Sequence, residues 1–76
     1  MAHEKIPGLD QAIVKTVTGV LTGKGVSHAQ AGARAQAKLA EGKACMLAAA
    51  NAEKGDDHDA LAAGFGALQL WAATNA

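Results

Sequence analysis

The densest group of potentially reactive side chains is Asp56-Asp57-His58-Asp59. Carboxylates and imidazole are common ligands of divalent metals. Consecutive side chains on a helix point in different directions, however, which argues against all four meeting on one ion. The run fits a helix start better. Asp56 can serve as N-cap, Asp59 sits three residues on as in a capping box, and the acids oppose the positive end of the helix dipole. We read a cap here and expect no metal.

Thr22-Gly23-Lys24-Gly25-Val26-Ser27 invites comparison with a phosphate-binding loop. That motif needs four residues between its first Gly and Gly-Lys, then Ser or Thr. Gly19 precedes Gly23-Lys24 by three residues, and Gly25 stands where the hydroxyl residue would hold magnesium. A flexible turn is the expectation.

His3, His28 and His58 fall one per segment, with no ligand spacing among them. Cys45 stands alone beside Met46 and Leu47, so no disulfide can close within the chain. A lone Cys in such company packs as a small hydrophobe; an intermolecular disulfide is the alternative. No nucleophile has a base at a useful spacing. The reading is of a non-enzyme with no cofactor.

Three segments carry these residues. In residues 7–22, Leu9, Ile13, Val14, Val17, Val20 and Leu21 recur at helical spacing. Pro7 suits a first helical position, and Gly23 or Gly25 a left-handed stop. The β-branched residues between 12 and 21 also suit a strand. Strict alternation fails at Ile13-Val14, and no second strand candidate exists to pair with it, so helix is expected.

Residues 27–54 read as one long helix capped by Ser27. Ala29, Ala33, Ala37, Ala40, Ala44 and Ala48 form a small-residue stripe. Its first half lacks large apolar groups and is expected to be buried only where another backbone comes close. Gly32 and Gly42 each cost about 1 kcal/mol relative to Ala; at Gly42 close packing or a bend would explain the residue.

Residues 56–74 form the third helix. Leu61, Phe65, Leu68 and Ala72 share a face that Leu70 and Trp71 widen. A helix apolar nearly all round belongs in an interior. Ala60 and Gly64, and Ala63 and Ala67, are small pairs four apart, a spacing that lets helices approach closely.

Twenty of the 76 residues are alanine, and they supply most of the apolar half of the composition; 17 large apolar side chains remain. A single domain this small usually needs a staple beyond its core. With neither disulfide nor metal expected, association is the staple left. The fold class is therefore all-α, two to three Ala/Gly-rich helices completed by neighbouring copies.

Net charge is zero, which argues against nucleic acid as partner. Residues 1–54 carry +3 and residues 55–76 carry −3, so stacked copies would bring opposite signs together. No stretch reaches the roughly 18–20 consecutive apolar residues of a membrane span. Residues 1–25 lack the continuous apolar core of a signal peptide. A lone Cys fits a reducing compartment, making the cytoplasm the default; release after assembly stays compatible with it.

The functional expectation is a structural self-assembling subunit, a homo-oligomer or filament held by small-residue helix faces. Its interface is expected at Leu61, Gly64, Phe65, Leu68, Leu70 and Trp71. The alternative is a small binding module whose last helix is covered by a different protein.

Overall fold

The computed structural model describes residues 7–76. His3 and the rest of the first six residues lie outside them. Four helices occur among the described residues and no strand: α1 (Leu9–Gly23), α2 (His28–Ala37), α3 (Leu39–Ala52) and α4 (Asp57–Asn75). The strand alternative for 12–21 is thereby answered, because Ile13, Val17 and Leu21 fall on one buried face of α1.

The helix ends follow from local chemistry, with one departure. Gly8, not Pro7, opens α1; it adopts φ 75, and its carbonyl accepts from Ala12 N–H at 3.0 Å. Ser27 caps α2 by accepting from Gln30 N–H, and Asp56 caps α4 by accepting from Asp59 N–H at 2.9 Å. At the end of α1 it is Gly25, φ 94, that takes the left-handed position. Gly25 N–H donates to Thr22 O and Val26 N–H to Leu21 O, while Val26 packs against the core. These are the paired bonds of a Schellman turn.

The expected single helix over 27–54 is two helices. The break is at Lys38, φ −109 and ψ 18, and not at Gly42. It lets the two halves pack on different partners: α2 lies mainly on α1, and α3 mainly on α4. Each pair is joined by a short link and doubles back on itself.

The core is assembled from all four helices. Ile13, Val17, Leu21, Met46 and Leu68 are its largest fully covered side chains, with Ala31, Ala35 and Ala72 filling between them. Among the described residues no polar or charged side chain is buried. Two glycines make the α3/α4 packing close. A Cβ at Gly42 would lie 3.0 Å from the Trp71 ring, and one at Gly64 would lie 2.9 Å from the Met46 carbonyl oxygen. Gly42 thus serves close packing. The open end of this pair of helices, where α3 starts and α4 finishes, is tied by side chains as well. Lys43 pairs with Asp10 on α1 at 2.9 Å. Lys24 Nζ donates to Ala73 O and Lys38 Nζ to Asn75 O, placing two ammonium groups at the negative end of α4.

Within the chain, α1 and α3 bury Ala60, Gly64, Leu68 and Ala72 of the last helix. One expectation about packing is corrected. The stripe Ala29, Ala33, Ala37, Ala40, Ala44, Ala48 faces outward, every member exposed. The buried row runs instead through Ala31, Ala35, Gly42, Met46 and Ala50, with Leu39 half-buried on it. That row contains the large side chains, whose burial removes more apolar area from water than alanines do.

Candidate association surface

The six residues expected at an interface separate into three settings. Gly64 and Leu68 are buried within the chain, Leu68 completely. Leu61, Phe65 and Trp71 are half-buried and pack against the core, Trp71 over Gly42. Leu70 projects outward at 73% exposure, the large apolar side chain left exposed among the described residues.

Leu70 sits in a distinctive stretch. No charged residue occurs from Ala60 to Ala76. The outward side of α4 presents Ala62, Gly66, Gln69, Leu70 and Thr74 as exposed residues. A Cβ at Gly66 would meet nothing within 4 Å among the described residues. Thr74 returns its hydroxyl to Leu70 O at 3.1 Å, so part of the polar character of this face is satisfied locally. The result is a shallow uncharged strip with one leucine standing above it. Gly66 is not among the residues expected at the interface; its place four residues from both Ala62 and Leu70 is the signal that marks it.

Charge collects at the two ends of the strip. Asp56, Asp57 and Asp59 are exposed at its start. Lys24 and Lys38 are bound to the last carbonyls at its finish. Exposed alanines also occur on α2 and on α3.

The other candidate groups resolve as follows. Ligand atoms of Asp56, His58 and Asp59 lie within 4.8 Å of one another, all exposed. The expected divergence fails for these three because Asp56 is the cap, outside the helix, and folds back over its first turn. Asp59 in turn crowds Gly55, where an added Cβ would run into its carboxylate. Cys45 is half-buried with its thiol directed at Ala67 O, 3.9 Å away. A shallow cleft of about 490 Å³ between α1 and α2 is lined by Gln11, Lys15, Thr18, Thr22, His28 and Gln36 among others. In it the Thr22 hydroxyl donates to Gly19 O at 3.0 Å. Among the described residues no helix is long and apolar enough to cross a membrane.

No protein-family model, curated protein or solved structure matches the chain.

Proposed function

We propose that this chain is a structural, self-assembling subunit that forms a homo-oligomer through close-packed small-residue helix faces. The uncharged outward strip of α4, with Leu70 exposed on it, carries this reading. Burying such a strip removes apolar area from water without stripping water from any charge. The zero net charge adds no repulsion between copies. Exposed alanines on α2 or on α3 offer a second face, and two separate faces on one copy are what an open filament needs. No catalytic role is part of this reading.

The rival reading is a module that folds against a different protein. Ile13, Leu21, Met46 and Leu68 give the chain a core of its own. That favours a subunit folded before it associates over one that gains structure only on a partner.

Light scattering and negative-stain imaging of the purified chain across concentrations test the proposal. Particles or fibres that grow with concentration support it. A helical chain that stays at monomer mass throughout overturns it.

A further inference from the structure

We infer that two copies pair through the outward faces of α4, antiparallel and about a two-fold axis at Gly66. This rests on the self-assembly reading above and specifies its primary contact.

The register follows from sequence position on the helix. Gly66 is the midpoint of α4, Asp57–Asn75. Ala62 lies four residues before it and Leu70 four after, all three exposed. A two-fold axis at Gly66 sets Leu70 of each copy over Ala62 of the other. The protruding side chain meets the small one twice. At the axis, where two backbones must come nearest, neither copy has a side chain. The parallel alternative would set Leu70 against Leu70 and leave both Ala62 positions uncovered.

Charge favours the same direction. Antiparallel pairing brings Asp59 of one copy, on the Gly66 side of the helix, opposite Ala73 in the other, where Lys24 is bound at Ala73 O. Both ends of the contact then oppose acid to ammonium. Parallel pairing would set acids on acids and lysines on lysines, which disfavours it. The helix dipoles also align favourably when antiparallel.

Single cysteines in a Cys45→Ala background test the register under mild oxidation, read on denaturing gels. Gly66→Cys is expected to couple to itself. Ala62→Cys alone and Leu70→Cys alone are expected not to, because like positions would lie about 12 Å apart along the axis. Their equimolar mixture is expected to couple. Self-coupling of Ala62→Cys or Leu70→Cys as efficient as that of Gly66→Cys would show parallel pairing and overturn the inference.

If the background chain is oligomeric and none of the three positions couples, copies meet elsewhere: the inference falls and the self-assembly reading stands. A background chain that remains monomeric at millimolar concentration removes both. Gly66→Leu provides a second readout without chemistry. It is expected to keep its helical circular dichroism and to associate at least tenfold more weakly; unchanged affinity in a helical Gly66→Leu chain overturns the inference.

Discussion

Gly64 lies directly against the Met46 carbonyl: a Cβ added there would stand 2.9 Å from the oxygen and 3.1 Å from the Met46 Cγ. The backbones of α3 and α4 therefore approach as closely as they do because position 64 has no side chain. Two residues along the same helix, Gly66 meets nothing among the described residues. The two glycines have opposite consequences.

Gly64→Ala is expected to destabilise the fold. Overpacking costs about 1–3 kcal/mol, against a helix-propensity gain of about 1 kcal/mol. Gly66→Ala is expected to raise the stability of the isolated chain by up to about 1 kcal/mol while weakening association. Urea denaturation at low protein concentration, beside sedimentation at high concentration, separates the two effects. A Gly66→Ala chain that is less stable as a monomer would contradict the open space seen there.

Leu70 and Trp71 are neighbours with different duties. Trp71→Ala strips a half-buried ring from Gly42 and Leu68 and is expected to lower stability by about 2–3 kcal/mol, somewhat less than a fully buried Trp. Leu70→Lys is expected to stay within about 0.5 kcal/mol of the parent, as exposed substitutions do. Yet it should reduce the particle mass seen by light scattering. Parent-like mass for Leu70→Lys would remove the exposed leucine from the contact.

The two side-chain caps are expected to differ in strength. Asp56 accepts from Asp59 N–H at 2.9 Å, Ser27 from Gln30 N–H at 3.3 Å. Asp56 also carries charge at the positive end of the helix. Asp56→Ala should cost about 1 kcal/mol and Ser27→Ala less. Thermal melts of the pair would show it; a larger loss at Ser27 would reverse the assignment.

Gly25 and Gly19 make a second contrast. Gly25 holds φ 94 in the turn after α1, where a side chain is strained. Gly25→Ala is therefore expected to cost about 1–2 kcal/mol. Gly19 sits within α1 with open space around it. Gly19→Ala should stabilise by up to about 1 kcal/mol. Equal and opposite shifts in denaturation midpoint are not required; opposite signs are.

What was legible in the sequence was chemistry within one turn of helix. Ser27 and Asp56 as caps, a glycine stop after the first helix and the all-α class follow from residue types a few positions apart. Lys38 was not legible as a break, because nothing in its side chain disfavours helix; the break serves the packing of two halves on different helices. The outward alanines were misread because even spacing was weighed above size. Leu39 and Met46 lie on another row, and that row went inside. For α4, apolar residues on nearly every side hid which face would turn inward. Leu68 and Leu70 are two positions apart with the same side chain. The choice between them was made by Gly64, on the face of Leu68, where the Met46 backbone can come close.

The ties from Lys24 to Ala73 and from Lys38 to Asn75 span 49 and 37 residues. Closing loops of that length carries an entropy cost that must be met before the contact forms. The α3–α4 hairpin closes over a much shorter length of chain and has the most extensive packing in the molecule. It is the part of the chain expected to fold early, the Lys38 tie closing with it at its open end, with α1 and α2 wrapping on afterwards and Lys24 fastening last. Substitutions at Met46 and Leu68 should then slow refolding, whereas loss of Lys24 should mainly hasten unfolding.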